Sequence, residues 1–233
     1  MKKQELAARI DHTLLKPEAT DGQVRKMVAQ AVQYRFASVC VNPRWVPLVR
    51  ELLDQAAVST AIASKLAVAT CGCIGFPLGA TFSRSKAAEA QECVKQGAGE
   101  LDMVIFLPAL LECNLAAAKD DIQCVVNAAR EIAASTVVKV ILETAVLNES
   151  QIAVGCEAAY LAGADFVKTS TGFHPAGGAT VQAVRRLKAY SRGLKVKASG
   201  GIRDLRTATA MLDAGADRLG CSAGVEIIGA LPD

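Results

Sequence analysis

Apolar residues run along this chain in two alternating rhythms. Short apolar runs, rich in Val, Ile, Leu, Ala and Cys, fall at residues 9–13, 37–41, 66–73, 100–105, 137–143, 165–169, 195–199 and 218–221. Between them lie longer stretches in which apolar positions return every three or four residues, the spacing of an amphipathic helix. Three junctions repeat one pattern: GAGELDMVI at 97–105, GADFVKT at 163–169 and GADRLGC at 215–221. In each, a helical stretch stops at a glycine able to enter the left-handed region, and a strand follows. Such repetition predicts alternating β and α elements with a parallel sheet. Eight strands in 233 residues, close to the ~250 usual for the fold, predict a (β/α)8 barrel. No G-x-G-x-x-G follows the first strand, which weakens an open dinucleotide-binding sheet. Residues 2–8 (KKQELAA) read as a short helix that could cover the barrel bottom, and with no linker or low-complexity segment, one domain is expected over 1–233.

Composition narrows the setting. At 52% hydrophobic residues the chain is an ordinary folded protein, and its net charge of +3 comes from 26 basic and 23 acidic residues interspersed along the sequence. Without a basic stripe, neither nucleic acid nor a membrane surface is expected as a partner. No apolar stretch approaches the roughly 20 residues needed to cross a bilayer. The opening MKKQELAARI places Gln4, Glu5 and Arg9 where a signal peptide needs a continuous apolar region. Eight cysteines at scattered positions, with no C-x-x-C pair, read as reduced thiols of a cytoplasmic protein.

The polar residues that interrupt the strands carry the chemistry. Lys168 and Lys197 each close an apolar strand and are followed at once by small residues and glycines, in ADFVKTSTG and VKASGGIR. An ammonium group beside an apolar interior is costly unless something uses it. Strand alternation puts Asp11, Cys40, Asp102, Lys168 and Lys197 on faces that would converge if they point inward. A lysine with an ordinary pKa near ~10.4 is a poor nucleophile at neutral pH. A second ammonium nearby raises the cost of charging the first, so one lysine can attack a carbonyl while the other tunes it. Asp102 can then move protons, directly or through water. The competing reading is that the lysines merely pair with Asp102 and close the barrel. Lys139 and Lys195, near strand starts, are expected to face solvent at the barrel bottom. His12 alternates away from Asp11 and reads as structural, Cys71 and Cys73 read as packing residues, and His174 is placed on a loop near the glycine segments. Two distant histidines do not make a zinc site, so no metal is expected.

Glycine-rich segments follow the last three strands: TSTG at 169–172, SGGIR at 199–203 and GCSAG at 220–224. Bare backbone N–H groups and hydroxyls there, with Arg203 adjacent, suit a phosphate.

With these motifs on the page, the chain resembles the deoxyribose-phosphate aldolase family of class I aldolases. The resemblance rests on IDHTLLKPEAT (10–20), VCVNP (39–43), IGFPLGAT (74–81), ELDMVI (100–105), KVILET (139–144), GADFVKTSTGF (163–173) and VKASGGIR (196–203). It implies that Lys168 forms the Schiff base, that Lys197 favours its neutral form, and that Asp102 transfers protons. It further implies that Asp11, Thr13 and Cys40 line the substrate pocket, and that Gly172, Gly200, Gly201, Arg203 and Ser222 form the phosphate site. The implied substrate is a small phosphorylated sugar, 2-deoxy-D-ribose 5-phosphate, with no cofactor and a homodimeric assembly. Phe106 and Ala223 depart from the family pattern, and the family's tail tyrosine has no counterpart after Tyr190. Another Schiff-base aldolase or transaldolase with a different donor, and a non-catalytic sugar-phosphate-binding barrel, remain alternatives.

Overall fold

The computed structural model describes residues 1–59 and 68–231. Its centre is a closed barrel of eight parallel strands in sequence order. These are β1 (Ile10–Leu14), β2 (Ser38–Val41), β3 (Ala69–Ile74), β4 (Glu100–Val104), β5 (Val137–Ile141), β6 (Phe166–Lys168), β7 (Lys195–Ser199) and β8 (Arg218–Cys221). Pairing of Ile10 with Leu219 and of Asp11 with Gly220 closes the ring. The short helix α1 (Lys3–Ala7) precedes the barrel, a little shorter than the sequence suggests. Helices α2 (Asp21–Tyr34), α3 (Val46–Ser59), α4 (Ser83–Lys95), α5 (Leu107–Leu111), α6 (Leu115–Ile132), α7 (Glu149–Leu161), α8 (Val181–Tyr190), α9 (Leu205–Asp213) and α10 (Gly224–Gly229) connect and surround the strands. The (β/α)8 expectation holds.

Local chemistry sets the boundaries. Thr20 and Gln23 exchange contacts at the start of α2, Asn148 and Gln151 do so at α7, and Asp204 accepts from the Thr207 N–H at α9. Each arrangement satisfies N–H groups that a helix start leaves free. The glycines of the repeated junction, Gly97, Gly163 and Gly215, all have positive φ, as the pattern required. Two strands are shorter than the apolar runs imply. The fifth stops at Ile141 because Glu143 turns into the left-handed region, with φ 59 and ψ 56. Residues 66 and 67 of the run at 66–73 lie outside the described residues, and the strand itself runs from Ala69 to Ile74.

Alternation divides the strands into an apolar outer face and a polar inner one. Val39, Leu101, Met103, Val138, Val140, Val167, Val196 and Leu219 belong to the large core between barrel and helices. Inside the barrel a small apolar group of Leu15, Cys40, Cys71 and Cys73, with Phe76 against it, fills one side only. Charged side chains, with the Phe166 ring packed against Arg218, fill most of the rest.

One further buried ion pair lies outside the barrel, in the seam between α4 and α6. Lys86 Nζ donates to Asp121 Oδ2 (2.7 Å) and to the Val104 carbonyl (2.9 Å). Asp121 also accepts from Ser83 Oγ (2.7 Å) and the Phe106 N–H (2.9 Å), so the pair ties the end of β4 to two helices. Removing one partner of such a pair leaves a buried charge uncompensated. Asp121→Ala is therefore expected to cost about 3–5 kcal/mol of unfolding free energy, while replacing both residues by apolar ones of similar size recovers most of it. Urea denaturation of the three proteins checks this; a double variant as unstable as the single one would place the cost elsewhere.

Candidate active site

The inner faces of β1, β4, β5, β6, β7 and β8 bring seven charged side chains into one buried cluster. Asp102 is its hub. Its Oδ2 accepts from Lys168 Nζ at 2.7 Å and from Lys197 Nζ at 2.6 Å, and its Oδ1 accepts from Lys139 Nζ at 2.8 Å. Asp11 pairs with Lys197 and with Arg218, the latter at 2.6 Å. Glu100 pairs with Lys139 at 2.7 Å and with Arg218 at 3.4 Å. Strand register builds this directly, because Lys168 is opposite Lys197 and Asp102 is opposite Lys139. Lys139, Lys197, Asp11 and Asp102 are all 0% exposed, and Lys168 is 1% exposed.

Lys139 corrects the sequence expectation of a solvent-facing residue at the barrel bottom. The signal was present in its neighbours: Val138, Val140 and Leu142 belong to the outer core, so Lys139 on the opposite face must point inward. Lys195 is exposed, as expected, with its ammonium over the Phe166 ring. His12 is buried on the outer face, bonded to Gln30 at 3.0 Å and packed on Phe36 at 5.0 Å, in the structural role expected of it. Burial lowers its pKa.

Mutual charge fixes the ionisation of the cluster. Burial alone would push Asp102 upward, but Lys139, Lys168 and Lys197 together hold its carboxyl well below the usual range. Burial likewise opposes ionisation of Asp11, and Lys197, Lys139 and Arg218 overcome it, so this carboxyl too is depressed. For Lys197 and Lys139 burial works against the charged form, yet Asp102 and the other carboxylates raise both well above the ordinary lysine value. The cluster thus holds Lys139, Lys168, Lys197 and Arg218 against Asp11, Glu100 and Asp102, one cation more than the carboxylates balance.

Three thiols share this space. Cys40 Sγ lies 3.6 Å from Cys73 Sγ, and Cys71 Sγ lies 3.3 Å from Asp102 Oδ1. Cys71 and Cys73, read from sequence as packing residues, do pack, but they also face the charged cluster. Contact with Cys71 draws the Cys40 pKa down, while contact with Cys73 and burial raise it further, leaving it well above the ordinary value. Burial does the same to Cys71. Cys40, Cys71 and Asp102 bring ligand atoms within 4.8 Å of one another. Their chemistry fits a cation poorly, since both Asp102 oxygens already accept from ammonium groups and the thiols are held protonated.

Two openings lie above the cluster at the C-terminal ends of the strands. A basin of about 370 Å³ is lined by Thr13, Gly172, Gly200, Gly201, Arg203 and Ser222 among others. Its glycines allow backbone to meet backbone: a Cβ on Gly178 would stand 2.3 Å from the Gly200 carbonyl oxygen. Gly200 itself has φ 91, open to glycine at little cost. A narrower opening of about 160 Å³ lies over β4 and β5, lined by Val104, Ile105, Leu107, Glu143, Thr171 and His174. Thr171 and Phe173 line both openings and so form their shared wall. His174 therefore stands at the narrower opening, outside the glycine basin where sequence placed it. Of the sequence candidates, Lys168, Lys197, Asp102, Asp11 and Cys40 meet in the buried cluster, while Thr13 and the five glycine-loop residues meet in the basin. Asp11 and Cys40 lie deeper than a pocket wall. Phe106 is exposed and Ala223 packs on the outer core, so neither departure lines an opening. Lys139, Arg218, Glu100, Cys71 and Glu143 are site residues that the sequence reading missed.

Comparison with known proteins agrees with this geometry. The family model described as DeoC/LacD family aldolase matches residues 6–229. The chain is 48% identical over 224 residues to the deoxyribose-phosphate aldolase of Halalkalibacterium halodurans, covering 96% of this chain and 94% of that one. It is 46% identical over 224 residues to that of Exiguobacterium sibiricum, covering 96% and 95%. Among solved structures it superposes with a TM-score of 0.84 and 35% identity on the tetrameric deoxyribose-phosphate aldolase of Aeropyrum pernix, covering 98% of this chain and 92% of that one. A closed parallel barrel, a lysine-rich interior and a family match along nearly the whole sequence together show that this chain belongs to the DeoC/LacD family of aldolases.

Proposed function

We propose that this enzyme reversibly cleaves 2-deoxy-D-ribose 5-phosphate to D-glyceraldehyde 3-phosphate and acetaldehyde, through a Schiff base on Lys168. The observation that carries the reading is the charge balance of the buried cluster. An unbalanced charge in a dry interior is expensive. Lys139 contacts three carboxylates, and Lys197 and Arg218 contact two each, whereas Lys168 contacts Asp102 alone. Lys168 is thus the amine of the cluster with the fewest carboxylate partners, and the other three cations already match the three carboxylates in number. A neutral amine at the root of the shared wall is a competent nucleophile.

The chemistry then follows with balanced bonds. Lys168 Nζ adds to the C1 carbonyl of the open-chain sugar, and the carbinolamine loses water to give an iminium. Loss of the C3 hydroxyl proton breaks the C2–C3 bond. The released electron pair moves into the iminium to form an enamine, and C3 departs as the aldehyde carbon of glyceraldehyde 3-phosphate. Protonation at C2 and hydrolysis release acetaldehyde and restore the amine. Asp102, within hydrogen-bond reach of Lys168 and Lys197, is the group placed to pass protons in these steps. Lys197, held charged, supplies the fixed positive potential beside the nucleophile. In the basin the glycine-loop N–H groups, Ser222 and Arg203 would take the phosphate.

Phe106 and Ala223 line neither opening, so no observation favours a different donor. A barrel that only bound sugar phosphate would need the basin and not the lysines. We further read the protein as a cytoplasmic homodimer. The unpaired state of all eight cysteines supports the compartment, and the family resemblance alone is the ground for the dimer. Among the described residues no helix is long and apolar enough to cross a membrane.

Borohydride reduction with acetaldehyde followed by peptide mapping is expected to label Lys168. Label on Lys197 instead, or none at all, overturns the assignment. Lys197→Leu removes the fixed charge; activity near neutral pH should fall by orders of magnitude, on the scale of a lost electrostatic partner, with the ascending limb of the pH–rate profile moved to higher pH. An unmoved limb would mean that Lys197 does not tune the nucleophile. Arg203→Ala removes a charged hydrogen bond of about 1.5–3 kcal/mol, so KM for the phosphorylated sugar should rise roughly ten-fold or more. Kinetics with unphosphorylated deoxyribose should not change, and an equal loss on both sugars would place the phosphate elsewhere.

A further inference from the structure

Glu143 breaks two habits of the chain at once. It is a non-glycine residue in the left-handed region, at φ 59 and ψ 56, just past the end of β5. It also carries a carboxylate, 5% exposed, into an opening whose other walls are largely apolar. Left-handed backbone disfavours an L side chain, and glycine or asparagine would occupy the position with less strain. A strained residue retained beside a reaction centre points to a use for its side chain.

That use is visible in the contacts. Thr171 Oγ1 donates to Glu143 Oε2 at 2.5 Å, and the Thr171 N–H lies 3.3 Å from both carboxylate oxygens. Thr171 Oγ1 in turn accepts from the Phe173 N–H at 3.1 Å. The Phe173 ring then meets Phe76 edge-on, at 5.1 Å, across the mouth from the loop after β3. The carboxylate therefore holds Thr171 directly and Phe173 through the Thr171 hydroxyl, fixing one short segment, residues 171–173, that follows the strand bearing Lys168. The backbone just after β5 supports the residues leading into this segment, through Leu142 N–H to the Lys168 carbonyl at 3.0 Å and Thr144 N–H to the Thr169 carbonyl at 2.8 Å. With Thr171 and Phe173 facing both openings and Gly172 in the basin, any slackness in this segment widens one opening at the expense of the other.

We propose that Glu143 is a positioning residue that latches the wall between the two openings and so sets where the phosphorylated substrate sits relative to Lys168. The role rests on the Schiff-base reading above. The left-handed turn is what aims the carboxylate back over the barrel instead of outward along β5.

The test uses Glu143→Gly, Glu143→Gln and Thr171→Val in the full chain, each with three readouts: Tm, steady-state kinetics on deoxyribose 5-phosphate, and the rate of borohydride trapping by acetaldehyde. Glu143→Gly relieves the backbone and removes the latch together. Its Tm should equal or exceed that of the parent while kcat/KM falls about ten-fold or more, as expected for a misplaced substrate. The loss should lie chiefly in KM, with the trapping rate changed less than about two-fold, because trapping needs only the amine and a small aldehyde. Glu143→Gln keeps an acceptor for Thr171 and should recover part of the loss. Glu143→Gly combined with Thr171→Val should be no worse than the poorer single variant. Parental kinetics in Glu143→Gly, additive losses in the double variant, or a Tm drop that accounts for the lost activity would each overturn the latch. A parent enzyme that is not trapped at all would instead overturn the Schiff-base reading.

Discussion

A buried ammonium without a counter-charge costs several kcal/mol, and the interior of this barrel holds four cationic side chains against three carboxylates. The rest of the architecture answers to that imbalance. The carboxylates come from β1 and β4, and the cations come from β5 to β8, so only a closed ring in the observed register brings them within hydrogen-bond distance. An open sheet would leave Asp11 on one edge and Arg218 on the other. Closure between β1 and β8, which places Asp11 opposite Gly220, is therefore an electrostatic requirement as well as a means of removing free strand edges. The apolar outer faces of the same strands let the interior be polar, because the hydrophobic core lies between barrel and helices.

Reading the sequence recovered most of this because alternation is a strong signal. Lys168, Lys197 and Asp102 stood out as charges at the ends of apolar runs, and the glycine segments after the last three strands stood out by composition. Lys139 was misjudged because a lysine near a strand start is usually solvated, and nothing local says that its strand borders the hub carboxylate. That fact belongs to register, which links residues far apart in sequence. Glu143 escaped for a related reason: its left-handed backbone and its grip on Thr171 exist only once β5 and β6 are neighbours. Phe106 and Ala223 present the converse case. Both were singled out as departures from a family pattern, yet the Phe106 ring is exposed and the Ala223 methyl rests on the outer core. The Phe106 backbone is held at both of its polar groups, the N–H by Asp121 and the carbonyl by the Ala109 N–H.

The two buried lysine–aspartate systems divide labour by location. The Lys86–Asp121 pair fastens the exit of β4 from outside the barrel, through the Val104 carbonyl and the Phe106 N–H. The interior cluster fixes the inward side chains of the same strand, with Asp102 two residues earlier. The strand that carries the hub is thus held on both faces by charge, which fixes the position of the Asp102 carboxylate among its three amines.

The depth of the cluster beneath the mouth has a consequence for electrolytes. Dissolved ions screen charges over about 8 Å at physiological ionic strength, but only where water carries them. Arg203 and Ser222 stand exposed in the basin, within their reach, whereas Asp11, Asp102, Lys139 and Lys197 are wholly enclosed by protein. Added salt therefore weakens the attraction of Arg203 for any anion and leaves the field around the buried amines as it was. Basin and cluster thus answer to different solvents: one to the ionic medium outside, the other to the fixed charges of the barrel's own strands.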